Sequence, residues 1–482
     1  MSRFLPFCLL LAGLFGSPRS GRAQAMPLYI DLKAEKLDVP AGPWQVTRVL
    51  DLRADRSRLG PVRLGLDNHV VSANFAQPMA AELLQAIQTQ APARAEARPV
   101  LMRVFALALS EDVRASSEAA EAELIADFLE PLPDSMFRVL LPVGAATRRA
   151  GLEVTKHHAT NLAQVLQEGL RQLAALPAAP PNAEVLTRAD ALAGRGGATS
   201  RRFPIQLAAL PQRGFYRSLQ EFQNNAPSEP KYPFAIEHIA HTGKRWAGTD
   251  EVQAFYLRTD ARNPRVPVSR HDIWGLSDGR EALIVHKSRF YKLLPTADGR
   301  NFTFIGPPLF DEQAATNMAV AAVAGGAIGA AIAGAAQGGG TMIPYELHLA
   351  SGRVLPMPEA GHTDADGFQT VPDTARVYVY RRVESAKNRS ATLSITGQKP
   401  LMLQAGQWTK LIWTDRRQEL ALCGQVAGEP KGCHQFVPDF SQPNYLECMV
   451  PEDGSAPTFR LVPVKEGQFE LRRIQRLSKA GR

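Results

Sequence analysis

The sequence predicts an α+β protein of several domains: an N-terminal α/β layer domain, a central mostly-β domain with an inserted Ala/Gly-rich helix, and a C-terminal β-sandwich. Its 482 residues correspond to about three domains of ordinary size. Hydrophobic residues make up 45% of the chain and charged residues 21%, which permits packed cores and excludes wholesale disorder. Helical spacing of apolar residues is found mainly in the first block, whereas short alternating runs separated by turns fill most of the rest.

The first 25 residues have the three parts of a secretory signal peptide. Arg3 gives a positive start, residues 4–15 are an apolar run, and Ala-Gln-Ala at 23–25 offers small residues to a signal peptidase. The apolar run is too short to span a bilayer, and Cys8 has no lipobox around it. We therefore expect cleavage after Ala25 and export of the mature chain to the periplasm or the outer membrane.

The first block, residues 26–176, combines strand and helix patterns. Apolar residues at helical spacing predict helices over 78–90 and 158–176, and the runs between them predict strands. Two well-separated helices among strands indicate an α+β layer. The segments Val-Leu-Asp-Leu-Arg at 49–53 and Asp-Arg-Ser at 55–57 resemble the opening of small α/β domains in Gram-negative envelope accessory proteins.

The charges of this opening segment have two interpretations. We interpret the segment as an exposed strand end with solvated side chains, because surface ion pairs are common and weak. The alternative is a polar site. The side chains concerned are Asp51, Arg53, Asp55 and Arg56.

A linker is expected at residues 177–202, where Pro and Gly are frequent and apolar periodicity is weak. The second block, residues 203–358, contains turn and strand patterns. Its segments 214–225 and 272–280 resemble segments that recur in a group of uncharacterised exported bacterial proteins. No activity is known for that group, so the resemblance implies only an exported envelope protein.

Residues 359–373 are expected to form a second linker, and residues 374–482 a β-sandwich-like domain made of short, closely spaced strands. The segments 375–382 and 395–399 resemble a family of small exported β-sandwich domains of unknown function. The basic tail at 471–476 is expected to be a frayed, solvated terminus.

Removal of the signal peptide leaves three cysteines, Cys423, Cys433 and Cys448. Export to an oxidising compartment favours a disulfide, and an odd number leaves one thiol over. The short loop from Cys423 to Cys433 contains three glycines and a proline, so we expect this pair to form the disulfide and Cys448 to stay free. His434 beside Cys433 has no second ligand pair at zinc-site spacing.

A Gly-x-Ser-x-Gly pattern at residues 275–279 offers Ser277 as a nucleophile. In hydrolases this pattern needs a strained turn between a strand and a helix. Here residues 282–285 have the pattern of a strand, and Ser-Asp-Gly is ordinary hairpin-turn chemistry. We interpret the pattern as a turn and retain an exported serine hydrolase that uses Ser277 as the alternative function.

No cofactor or metal is expected. The segment 362–367, His-Thr-Asp-Ala-Asp-Gly, has part of a calcium-loop spacing, but the later ligand positions do not fit. His157 and His158 precede a helix and have no partner at metal spacing. Walker A and Rossmann phosphate-binding patterns are absent from the sequence.

Residues 318–336 are nineteen uncharged residues: ten Ala, four Gly, two Val, two Ile and one Met. Small residues recur every four positions on two adjacent faces, a spacing that lets helix backbones approach closely. We expect a buried or self-associating helix; membrane insertion and a mobile segment are the alternatives. The positions expected to pack are Ala322, Gly325, Gly326, Gly329, Ala330, Ala333 and Gly334.

The formal net charge is +8, and three of the arginines lie in the expected signal peptide. The basic residues are spread along the chain, so nucleic-acid binding is not expected. The sequence therefore favours a non-enzymatic exported envelope protein that binds or assembles through its β domains and the small-residue helix. Its expected partner is a protein or a second copy of the chain, and contact with a membrane is a further option.

Overall fold

The computed structural model describes residues 27–64, 69–90, 96–114, 117–151, 154–243, 246, 248–258, 264–307, 341–357, 373–385, 388–395 and 398–480. Strand accounts for 42% and helix for 18% of the structure. The chain is therefore a β-rich, multi-domain protein built from several sheets. The expected signal peptide, the small-residue segment 318–336 and nearly all of the linker expected at 359–373 lie outside the described residues.

The first block has a five-stranded sheet of order β2-β5-β6-β7-β8 and a three-stranded sheet of order β1-β4-β3. One face of the five-stranded sheet packs on two helices, where Leu124 and Val143 lie against Gly169. The elements are β1 (Leu28–Ile30), β2 (Trp44–Asp51), β3 (Gly60–Leu64), β4 (His69–Phe75), α1 (Met79–Gln90), β5 (Arg98–Arg114), β6 (Ser117–Pro131), β7 (Met136–Gly151), α2 (His158–Ala174), β8 (Val185–Thr187) and α3 (Arg188–Leu192).

The segment 177–202 is not the linker that its composition suggests. It supplies β8 to the edge of the sheet and then α3. The reason is Arg103, which is fully buried beside Asp127 with two hydrogen bonds of 2.8 and 2.6 Å. Its guanidinium also donates to three backbone carbonyls between residues 191 and 196. A buried charge needs such partners, so the segment is held on the first block.

The second block has a seven-stranded and a four-stranded sheet that share one aromatic-rich core. Phe304 and Tyr345 stack at its centre with ring centroids 5.2 Å apart. The elements are α4 (Pro204–Leu207), β9 (Gly214–Tyr216), α5 (Leu219–Gln223), β10 (Phe234–Ile239), β11 (Glu251–Leu257), β12 (Arg265–Pro267), β13 (Gly275–Ser277), β14 (Ala282–His286), β15 (Arg289–Lys292), β16 (Leu294–Pro295), β17 (Phe302–Gly306), β18 (Ile343–Leu347) and β19 (Val354–Pro356).

The third block has two four-stranded sheets, of orders β23-β20-β26-β27 and β22-β21-β24-β25, whose inner side chains meet in one core. The elements are β20 (Ala375–Tyr380), β21 (Ala391–Ile395), β22 (Leu401–Leu403), β23 (Trp408–Trp413), β24 (Leu420–Gln425), β25 (Gly432–Phe436), β26 (Asn444–Met449), β27 (Thr458–Val462) and α6 (Val464–Ala480).

The C-terminal tail differs from the expected frayed terminus. Residues 471–476 lie within α6, and Leu471 and Ile474 are buried against Tyr380 and Tyr445. The apolar residues of the tail follow helical spacing, which the density of arginines conceals in the sequence. None of the helices that the structure describes is both long and apolar enough to cross a bilayer.

Candidate functional site

The first and second blocks are joined by a buried polar cluster, which we call the Glu123 latch: Glu123, His348, Ser351 and Arg353. Glu123 lies on β6, on the face of the sheet opposite the helices, and is 1% exposed. Its carboxylate accepts hydrogen bonds from His348 Nδ1 at 2.8 Å, from Arg353 Nη1 at 3.2 Å and from the Ser351 hydroxyl. The three donors come from the turn between β18 and β19, so one carboxylate holds the whole turn.

Charge pairing decides the protonation of the Glu123 latch. Burial alone raises the pKa of Glu123, but the hydrogen bond and charge of His348, together with Arg353 and Ser351, outweigh it and lower that pKa to about 2. Burial likewise disfavours the charged form of His348, yet Glu123 outweighs this and raises the pKa of the imidazole. Both shifts favour a charged pair, as a buried carboxylate requires.

A glycine allows the two blocks to approach closely. A Cβ placed on Gly144 of β7 would lie 2.0 Å from the backbone carbonyl oxygen of Ala350, at the tip of the turn. Backbone cannot move aside as a flexible side chain can. Gly144 is therefore required for the turn to reach Glu123 on the neighbouring strand.

A cleft of about 370 Å³ opens beside the latch, between the two blocks. The wall from the first block is polar and charged, and the wall from the second block is mostly apolar and aromatic. The polar wall includes Ser110, Asp112, Glu121, Thr147 and Arg148, and the other wall includes Trp274, Ile284, Val285, His286, Tyr345, Val354, Leu355 and Pro356.

Arg148 organises the polar wall. It lies opposite Glu121 on the neighbouring strand and forms ion pairs with Glu121 and, at 2.9 Å, with Asp112. Partial burial lowers the pKa of Arg148, but the two carboxylates outweigh it and raise that pKa. The wall therefore presents fixed charges of both signs, which suit a polar ligand group.

Lys287 reaches towards this wall from the second block, with its Nζ 4.0 Å from Asp112 Oδ1. It lies in the two-residue turn between β14 and β15, where Lys287 and Ser288 have φ values of 46° and 61°. Glycine or asparagine ordinarily occupies such positions. Strain of this kind at the mouth of a cleft is typical of functional sites.

Ser277 does not have the geometry of a hydrolase nucleophile. It is fully buried at the end of β13, and its hydroxyl accepts a hydrogen bond of 2.9 Å from the Gly279 amide. The chain then turns directly into β14 and pairs antiparallel with β13. Gly279 has φ +90° and a Cβ on Gly275 would lie 2.3 Å from a backbone oxygen, so the hairpin explains both glycines.

The charges at 51–56 are not the solvated strand end expected from the sequence. Arg53 is 4% exposed and forms a bidentate ion pair with Asp51. Asp55 lies 3.3 Å from Arg416, and the Arg56 amide donates to the Arg416 carbonyl at 3.0 Å. The segment is therefore a contact between the first and third blocks, because buried charges persist only where they are paired.

The remaining sequence-predicted positions are distributed over the molecule. Cys423 and Cys433 form a disulfide between paired strands, and Cys448 is free and buried. Burial raises the pKa of the Cys448 thiol to about 12, which leaves it unreactive. His158 is buried 2.6 Å from Glu111. The helix-packing positions at 322–334 and the calcium-like segment at 362–367 lie outside the described residues.

Sequence reasoning missed the whole Glu123 latch. Its two halves are 225 residues or more apart in sequence, so their contact leaves no local pattern. One signal was available: β6 carries Glu121, Glu123 and Asp127 within a run of Ala, Leu, Ile and Phe. Carboxylates in an otherwise apolar strand predict buried partners.

Comparison with known proteins adds little. No protein-family model matches the chain, and no curated protein matches it. Among solved structures, the chain is similar to the SMP domain and two C2 domains of Extended-Synaptotagmin 2, with 10% identity and a TM-score of 0.13 over 75% of this chain and 84% of that one. A TM-score this low carries no argument about fold or function.

Proposed function

We propose that this chain is a non-enzymatic exported protein of the bacterial cell envelope, and that its cleft binds a small amphipathic ligand. The observation that carries the proposal is the Glu123 latch. A buried carboxylate with three donors from the opposite block fixes the two walls of the cleft relative to each other. A rigid, preformed cavity lowers the ordering cost of binding.

The two walls define the class of ligand. The ion triad of Arg148, Asp112 and Glu121 can bind a polar or charged end through charge-assisted hydrogen bonds. Trp274 and the short strand β19 offer apolar surface to the remaining, apolar part of the ligand. A volume of about 370 Å³ lies at the lower end of the range for small-molecule sites.

One structural feature and two sequence features support the envelope setting. The disulfide between Cys423 and Cys433 fits an oxidising compartment outside the cytoplasm. The signal peptide expected at residues 1–25 and the resemblance of segments 214–225 and 272–280 to exported bacterial proteins agree with it.

Self-association through the small-residue segment is the second part of the proposal. β17 and β18 pair antiparallel from Phe302 opposite Leu347 to Gly306 opposite Ile343. The chain therefore leaves and re-enters this sheet at the same end. A single membrane crossing between these strands would separate their ends, so a packing role for residues 318–336 is favoured over spanning.

The finer architecture belongs to the same proposal. We assign the first block to an α/β layer domain, because helices cover one face of its five-stranded sheet. We assign the third block to a β-sandwich, because its two sheets share one core. We place the three domains at residues 26–176, 203–358 and 374–482, and we add residues 177–202 to the first.

The test is native mass spectrometry of the mature chain, purified without denaturation from a bacterium that exports it. Val354→Arg places a charged side chain in the cleft, and Val185→Arg is the control, since Val185 is 49% exposed on β8. We expect a bound small molecule on the wild type and the control and its loss from Val354→Arg. Absence of a bound mass from the wild type, or its retention by Val354→Arg, would refute ligand binding in the cleft. Labelling by a serine-reactive probe that Ser277→Ala abolishes would instead favour the hydrolase.

A further inference from the structure

Helix α6 packs one face against the third block and turns the other outwards. Leu471 and Ile474 are buried on the inner face. Lys465, Arg472 and Arg476 are exposed on the outer face. At 3.6 residues per turn, these three positions fall within a sector of about 40°. The exposed side of the helix is therefore a compact basic stripe.

The acidic residues of α6 do not neutralise this stripe, because they are engaged on its inner side. Glu466 lies 2.7 Å from Arg382 and 2.8 Å from Arg460. Glu470 is 6% exposed and lies 3.9 Å from Arg382. Arg473, on the same helix, pairs with Glu384 and Glu470. Charge is thus segregated between the two faces.

Large apolar side chains are exposed in and beside the stripe. Phe469 is 59% exposed within it, and Leu477 is 48% exposed at its edge. The groove between α6 and residues 401–409 lies on the inner side of the helix, beside Ile474 and Ser478, and is not part of this surface. Exposed apolar residues grouped around a basic face mark an interaction surface.

We propose that this surface, comprising Lys465, Phe469, Arg472, Arg476 and Leu477, binds a membrane surface that contains anionic lipids. Basic residues attract anionic headgroups, and aromatic and aliphatic side chains enter the boundary between headgroups and acyl chains. Leu477 favours a membrane over a nucleic acid, because single strands are bound by stacking on aromatic faces and an aliphatic side chain offers none. The surface lies on the third block and is separate from the cleft.

Vesicle flotation of the mature chain tests this inference. The vesicles contain phosphatidylcholine with or without phosphatidylglycerol. We expect binding only to the anionic vesicles, with weaker binding at high salt because exposed charges are screened. Arg472→Glu/Arg476→Glu should lower the partition coefficient at least about 20-fold, and Phe469→Ser about tenfold.

Matched controls use exposed residues elsewhere in the chain. Arg188→Glu/Arg217→Glu repeats the charge reversal, and Leu207→Ser removes an apolar side chain that is 72% exposed. Both should bind as the wild type does, and all variants should keep the wild-type melting temperature. Equal binding to neutral and anionic vesicles, no binding, or full binding by Arg472→Glu/Arg476→Glu would overturn the inference. Binding of a single-stranded oligonucleotide in place of vesicles, lost in the same variant, would overturn it in favour of nucleic acid.

Discussion

Replacement of Glu123 by Gln keeps the size of the side chain and removes its charge. In the variant, Arg353, which is 5% exposed, no longer has a carboxylate partner. His348 likewise loses its negatively charged partner. Loss of one member of a buried ionic cluster is strongly destabilising, because the remaining charge is not compensated. The turn between β18 and β19 should then separate from β6 more often.

The pKa of Glu123 sets the magnitude of the stability that this side chain contributes. A value of about 2 against an ordinary 4.5 corresponds to about 3 kcal/mol of native-state stabilisation. Because the native pKa is depressed, this contribution is complete above pH 4.5 and is lost as the pH falls towards 2. The pKa of His348 is raised, so its contribution is complete below pH 6.5 and is lost as the pH rises through the native pKa.

Hydrogen exchange of the amides at residues 348–353 measures opening of this turn. Between pH 4.5 and 6.5, where both contributions are present, Glu123→Gln should exchange roughly a hundredfold faster than the wild type once intrinsic rates are matched. The ratio should shrink towards pH 3. Glu229→Gln, at an exposed position, is the control. Equal exchange in Glu123→Gln and the wild type at pH 5.5, or a ratio independent of pH, would refute the role given to Glu123.

Three further outcomes are expected. Gly144→Ala should destabilise the chain by about 1–3 kcal/mol in urea unfolding. Gly243→Ala, whose Cβ meets nothing within 4 Å, should leave the stability unchanged. Equal effects of the two substitutions would show that Gly144 is not needed for the close approach. Arg103→Met should cost about 3–5 kcal/mol in the same assay, since it leaves a buried carboxylate unpaired; a neutral effect would contradict this. Gly325→Leu/Gly329→Leu should lose its native assembly and aggregate, as measured by size-exclusion chromatography. An unchanged oligomeric state and melting curve, with equal or stronger membrane retention, would show that the glycines are incidental.

Local patterns predicted the elements that depend on neighbouring residues. Apolar spacing predicts helices over 78–90 and 158–176, and the structure has them at Met79–Gln90 and His158–Ala174. Turn chemistry at 277–279 predicts the hairpin that joins β13 to β14. These features are visible in sequence because helix faces and tight turns are determined within a few residues.

Features that depend on distant contacts were misassigned or missed. Residues 177–202 have the composition of a linker, but Arg103, nearly 90 residues earlier, binds their carbonyls. The basic tail resembles a solvated terminus because its arginines outnumber the apolar residues that pack in α6. The Glu123 latch joins positions that only the folded topology brings together, so the carboxylates in β6 could predict a buried partner but not which residues supply it.

The compartment of the mature chain is the most direct test of the proposed function. Osmotic-shock fractionation of the native bacterium, followed by N-terminal sequencing of the recovered protein, measures it. We expect the chain in the periplasmic or outer-membrane fraction with Met26 as its first residue, in accordance with cleavage after Ala25. Recovery of the chain from the cytoplasm with Met1 intact would contradict an exported envelope protein.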